Sequence, residues 1–169
     1  FGSPEQLLTK DYASLCVMYI ENINAKEDRD RIKDETFIRG NVPMTKEEIR
    51  TVSIAKLELQ TDSIFYDIGA GTGSVSIQAA KRAYKGYVYA IEKNPEGILL
   101  MKENKRKFQV SNMEIVEGTA PDILNELPRP THAFIGGSSG ALKEIIQILL
   151  KKNDTIKIVI NAITIETIA

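Results

Sequence analysis

Cysteine and histidine are nearly missing: Cys16 and His132 are the single examples of each among 169 residues. One thiol cannot close an internal disulfide, and no second thiol or histidine offers metal-ligand spacing. A disulfide scaffold is thereby excluded, no metal is expected, and a reducing, cytoplasmic compartment fits best. An excess of one charge is lacking as well, since 22 Lys and Arg stand against 23 Asp and Glu, a net −1. A protein living mainly on phosphate backbones carries a basic surplus, so nucleic acid is not the expected partner. Long apolar runs are also absent. Leu15 to Ile20 and Ile156 to Ile160 end far short of the ~20 residues that span a bilayer, and no membrane association is expected. The opening Phe1-Gly2-Ser3-Pro4 has neither a basic nor an apolar region of a secretory signal and reads as a boundary inside a longer chain.

What remains has globular proportions, 43% hydrophobic and 27% charged, enough for one sizeable core. Leu15 to Glu21 reads as a buried strand after a short helical segment, and Asn22 to Glu35, dense in charge, as a solvated linker. A boundary near residue 30 follows, with no internal repeat beyond it. Thr45 is a candidate N-cap whose capping box is completed by Glu48, opening a helix with Ile49, Val52, Ile54, Ala55 and Leu57 toward the core. Strands then alternate with helices: strand Ser63 to Ile68, helix Ser74 to Ala83, strand Tyr87 to Glu92, helix Pro95 to Phe108, strand Met113 to Glu117. A short helix Asp122 to Leu127, strand His132 to Ile135, helix Ala141 to Lys151 and strand Thr155 to Asn161 complete the series. This order predicts an α/β, doubly wound parallel sheet, with ligands beyond the carboxyl ends of its strands.

One such strand end stands out. Phe65-Tyr66-Asp67-Ile68 runs into Gly69-Ala70-Gly71-Thr72-Gly73-Ser74, a strand, three glycines and a helix start. Glycines there allow positive φ and let a ligand approach the backbone at the helix N-terminus. The dinucleotide fingerprint wants its third small residue at position 74, whereas the third glycine falls at 73, which argues against NAD. The next strand ends in Glu92, 23 residues after Gly69, where switch-point geometry sets an acid beside a ribose; the plain alternative is an exposed strand-end acid. Asp67 reads as a loop-shaping acid, the plain alternative being an ordinary turn acid that caps backbone N–H groups. His132, with no partner acid in sight, reads as structural or exposed, and Cys16 as a small buried hydrophobe.

Asp67 to Gly73 followed by Glu92 resembles the S-adenosylmethionine site of class I methyltransferases, and implies a Rossmann-like fold. A closer likeness spans residues 31 to 169. Asp34 to Arg50, the glycine loop, Ala120-Pro121, Phe134 to Ser138 and Asn161 to Glu166 resemble the decarboxylating precorrin C15-methyltransferases of cobalamin biosynthesis. Residues 1 to 22 resemble the tail of the C5-methyltransferase domain fused ahead of that unit in bifunctional members. The likeness implies that residues 1–30 are the tail of a preceding domain plus a charged linker, and that residues 31–169 form a methyltransferase domain that stops before the last strands.

The resemblance implies methylation at C15 of a precorrin-type tetrapyrrole coupled to loss of CO₂ from the C12 acetate. S-Adenosylmethionine is the implied cofactor, held by Thr45, Asp67, Gly69, Ala70, Gly71, Thr72, Gly73, Glu92, Gly118, Thr119 and Ala120. Gly118 to Ala120 would meet the adenine and Thr45 the methionine end. Gly136, Gly137 and Ser138 would admit the flat macrocycle. Arg39 and Lys46, flanking Gly40 to Thr45 with no acid between them, are candidates for its carboxylates, with solvated surface charges as the plain alternative. No catalytic group is named, because displacement at a sulfonium depends on positioning and desolvation. A homotetramer is implied too. The competing readings are an RNA methyltransferase, disfavoured by Ile135-Gly136-Gly137-Ser138 in place of an Asp/Asn-Pro-Pro-aromatic motif, and a non-catalytic nucleotide-binding or assembly module.

Overall fold

In the computed structural model, which describes residues 4–7, 11–14 and 31–161, five short apolar segments pair in parallel. They are β1 (Ile64–Ile68), β2 (Tyr87–Glu92), β3 (Met113–Glu117), β4 (His132–Ile135) and β5 (Lys157–Ile160), in the order β3-β2-β1-β4-β5. The register sets Ile68 beside both Ile91 and Ile135, so β1, β2 and β4 end level. The chain order reverses between β1 and β4. That reversal is where open α/β sheets leave a crevice.

Side chains alternate across the sheet, as the two-residue period of a strand requires. Phe65, Val88, Ala90 and Phe134 point to one face, where they pack with Ile54 and Leu57 of α2 (Glu47–Leu57), Val75 and Ile77 of α3 (Ser74–Arg82) and Met101 of α4 (Pro95–Lys107). Tyr66, Ile68, Ile91, Ala133 and Ile135 point to the other, against Leu124 of a 3₁₀ turn (Asp122–Glu126) and Ile145 and Leu149 of α5 (Leu142–Lys152). A short helix, α1 (Pro4–Leu7), stands apart in sequence. This is the doubly wound parallel α/β sheet that the alternation of strands and helices predicts.

Three local expectations are corrected. The N-cap of α2 is Lys46, without a side-chain cap bond, so Thr45 and Glu48 form no capping box; the chain stays extended through Lys46, and Arg50 N–H bonds back to its carbonyl. The buried side of α2 is Arg50, Ser53, Ile54 and Leu57, while Ile49 and Val52 face outward. Residues 31–35 are not solvated linker: Ile32 is buried and Asp34 pairs with Arg50 at 3.0 Å, because the strap they belong to lies on the domain. The strand expected over 15–21, Cys16, most of the linker and the segment after Asn161 lie outside the described residues. Among the described residues no helix is long and apolar enough to cross a membrane, and no cluster of His, Cys, Asp and Glu could hold a metal ion.

Candidate functional site

At the carboxyl ends of the strands lies a cavity of about 620 Å³, reached by Gly69 after β1, Glu92 at the end of β2, Gly118 after β3, Gly136 after β4 and Asn161 after β5. Its size falls in the ~300–1,000 Å³ range of small-molecule sites. The loop between β1 and α3 forms its floor. Gly69 and Ala70 N–H both donate to the Ile91 carbonyl at 3.0 Å, which folds the loop over the end of β2. Gly69 adopts φ +75°, and a Cβ there would stand 2.8 Å from Gly137 N; at Gly71, φ +55°, it would stand 2.9 Å from the Pro43 carbonyl oxygen. Glycine is required at both because the walls of the cavity themselves press on the loop.

Glu92 is buried, and its carboxylate organises this floor. Oε2 accepts from Gly71 N–H at 2.8 Å, and Oε1 accepts from Lys93 N–H at 2.9 Å and Asn94 N–H at 2.8 Å. A carboxylate has about four lone-pair positions. Three are engaged, leaving Oε2 able to accept one more donor from the cavity.

Asp67, Thr72 and Gly73, expected to touch a cofactor, do not line the cavity. Asp67 lies beneath the loop, fully enclosed, and accepts from Ser76 of α3, whose hydroxyl donates to Oδ2; its Oδ1 is without a hydrogen-bond partner. Burial pushes this carboxyl up to about 7 from its ordinary 3.8, the Ser76 hydrogen bonds pulling it down and the nearby Glu92 charge pushing it further up. Thr72 is likewise buried with its hydroxyl unpartnered, and Gly73 is the N-cap of α3, turned toward Met101.

The outer wall is the strap formed by residues 31–46. Ile38 N–H and its carbonyl bond to the Asn104 side chain at 2.8 and 3.0 Å, while Asn104 Nδ2 also reaches the Thr72 carbonyl at 3.1 Å, so one buried asparagine ties strap to glycine loop. Asn41 N–H donates to Glu96 Oε1 at 2.7 Å. Farther along, Arg50 holds the Thr45 carbonyl at 2.7 Å with the same nitrogen that pairs with Asp34. Thus fixed, Val42 to Lys46 line the cavity.

Of the substrate candidates, Lys46, Gly136, Gly137 and Ser138 line the cavity together with Thr45, Gly118, Thr119 and Ala120. Arg39 is exposed and lies outside the cavity lining, whereas Lys46, exposed as well, stands at its wall, so the structure does not bring the two together there. His132 begins β4 at the end of the sheet away from the cavity. Its ring is 2.8 Å from the Thr131 hydroxyl, and burial first, then Lys157, push its pKa below the ordinary 6.5. Sequence reasoning missed Lys93, whose Nζ donates to Ser139 Oγ at 2.8 Å across the mouth, and the lining residues Ile49 and Asn161. It also missed Arg50 and Asn104, which look like solvated helix residues in a charged context. Lys93 alone carried a usable signal, being next to Glu92 at a strand end.

The precorrin methyltransferase domain model matches residues 36–169. A probable cobalt-precorrin-6B C(15)-methyltransferase (decarboxylating) of Sulfolobus acidocaldarius is 44% identical over 140 residues, 80% of this chain and 72% of that protein. The cobalt-precorrin-6B C(15)-methyltransferase (decarboxylating) of Salmonella typhimurium is 46% identical over 116 residues, of which this chain spans 59% of the length. Among solved structures, a precorrin-6y C5,15-methyltransferase of Geobacter metallireducens superposes with a TM-score of 0.78 at 39% identity, covering 85% of this chain and 77% of that one.

Proposed function

Because the chain belongs to the precorrin methyltransferase domain family, we propose that it methylates C15 of a cobalt-precorrin-6B-type tetrapyrrole using S-adenosylmethionine and releases the C12 acetate carboxyl as CO₂, a step of cobalamin biosynthesis. The observation that carries this is the free lone pair of Glu92 Oε2 inside a cavity floored by Gly69 to Gly71. A ribose hydroxyl is the donor such an acceptor suits, and Gly118 to Ala120 offer a wall at the distance of one strand for a base. The chain therefore fits the cofactor, which brings an electrophilic methyl on a sulfonium.

The protein's own part is positional. Glu92 orients a ribose and, through its three amides, keeps the floor in shape. The strap, locked by Asn104 and Arg50, closes one side, with Thr45 facing the cavity. Gly136 and Gly137, lacking side chains, leave room for a flat macrocycle above the methyl donor, and Ser138 lies beside them as a polar neighbour for its periphery. Holding substrate and donor together in a site emptied of water supplies most of what an in-line displacement needs. Decarboxylation asks the protein only to hold the acetate, since the electron pair of the breaking C–C bond enters the conjugated ring and a proton completes the new methyl. A homotetramer and a cytoplasmic location belong to the same reading, the former checked by sedimentation. The test is to incubate the protein with S-adenosylmethionine and cobalt-precorrin-6B and follow product mass. One methyl gained with one CO₂ lost is expected; methylation of RNA without change in the tetrapyrrole would overturn it.

A further inference from the structure

Helix α2 is rotated against its own hydrophobicity. Arg50 is 0% exposed and Ser53 is buried, while Ile49 is 51% and Val52 58% exposed. A helix free to turn would bury the two aliphatic residues. Arg50 prevents it: the guanidinium bonds to Gln78 Oε1 at 2.8 Å, to Asp34, and to the Thr45 and Ile32 carbonyls, and lies 4.9 Å over the Phe37 ring. With that side inward, Ile49 and Val52, three residues apart, form one stripe along the helix, and Lys46 stands before it as the N-cap. Lys46 and Ile49 line the cavity, and Val52 carries the apolar surface on from its rim. Lys93, tethered to Ser139, lines the same cavity from the end of β2. Among the described residues, the charged side chains lining the cavity are Lys46, Glu92 and Lys93, and Glu92 is largely spent on backbone amides.

We infer that this stripe is the platform for the substrate. One face of the tetrapyrrole lies on Ile49 and Val52, while Lys46 and Lys93 pair with its peripheral carboxylates, Lys93 exchanging the Ser139 hydroxyl for a carboxylate. The inference rests on the function proposed above and adds to it the recognition surface. Two things favour this occupant over a second copy of the chain: the stripe is continuous with the cavity, and the cations that border it complement a polycarboxylate.

The test uses the complete protein and two ligands. Binding of uroporphyrin III, a flat polycarboxylate tetrapyrrole, is followed by fluorescence without turnover, and KM and kcat are measured with cobalt-precorrin-6B. The double variant Ile49→Ser/Val52→Ser is expected to weaken uroporphyrin binding and raise the tetrapyrrole KM about tenfold, the loss of a few buried methylenes, with S-adenosylmethionine affinity unchanged. Lys93→Met is expected to act in the same direction, with Lys93→Arg restoring most of the loss. If wild type binds uroporphyrin but does not convert the precorrin, the proposed reaction fails while the variants still decide the platform. Unchanged tetrapyrrole binding in both variants, or a double variant that changes only the oligomeric mass by sedimentation, overturns the inference and, in the second case, makes the stripe an interface between copies.

Discussion

Asp67 is enclosed by protein, bonded to Ser76, and has one oxygen without a hydrogen-bond partner, so its protonation is a property of the fold. With a folded pKa of about 7 against an ordinary 3.8, the native state keeps a proton that the unfolded chain has released in between. Stability therefore falls as pH rises through that window: the contribution of this group is full below about pH 4 and gone above its folded pKa. Asp67→Asn keeps the acceptor for Ser76 and cannot titrate. In urea unfolding at several pH values, the stability of the Asn variant relative to wild type is expected to climb between pH 5 and pH 8 and then level off. A difference that stays flat over that interval would mean that Asp67 is ionised in the native protein throughout. Because Asp67 lies under the loop and outside the cavity, the substitution acts on the support of Gly69 to Gly73 and on no ligand directly.

The strap and α2 behave as one element joined by Arg50. Removing one partner of a buried ion pair typically costs about 3–5 kcal/mol, since the other partners are left unpaired; for a chain of this size that is a drop in Tm of ~6–20 °C. Arg50→Met is expected to show it by calorimetry, together with faster proteolysis within residues 31–46. Arg50→Lys is expected to recover little, because a point charge cannot replace a planar fork spread over Gln78, Asp34 and two carbonyls. A Tm within a degree or two of wild type would reduce the network to a neutral one. This element also marks how far the sequence could be read. The strands β2, β3 and β4 lie where their apolar pattern and flanking turn residues put them, and the glycine loop with Glu92 was legible because spacing alone brings a strand end, a turn and a helix start together. Periodicity, however, assumes that apolar residues choose the buried face. In α2 a single arginine with four partners outweighs Ile49 and Val52, and its partners Asp34 and Gln78 are far away in the chain, invisible to any local pattern. Arg39 and Lys46 seem equivalent in sequence for the same reason: only the path of the strap, tied down by Asn104 and Glu96, sets Lys46 at the cavity wall and Arg39 away from it, both of them exposed.

Across the described residues, parallel pairing brings the five strand ends to one side, and residues as far apart as Val42 and Asn161 close one cavity from the strap, the glycine loop and the ends of β3, β4 and β5. A ligand seated there touches segments that unfolding would separate, so its binding stabilises the entire fold. With S-adenosylmethionine at a hundred times its Kd, linkage gives about 2.7 kcal/mol, a rise in Tm of about 5–11 °C. Glu92→Gln tests which groups are responsible. Its amide can accept on one side only and turns an N–H toward backbone donors, so the variant loses a charge-assisted bond of about 1.5–3 kcal/mol, at least a tenfold loss of affinity. At the same ligand concentration the stabilisation then falls to about 1.4 kcal/mol or less, so that the rise in Tm is halved. His132→Gln, at the far end of the sheet, is expected to keep the full rise, which separates a local contact from general weakening of the fold. A Glu92→Gln protein whose Tm climbs as far as that of wild type on adding S-adenosylmethionine would remove Glu92 from the ligand and leave it only its three backbone amides.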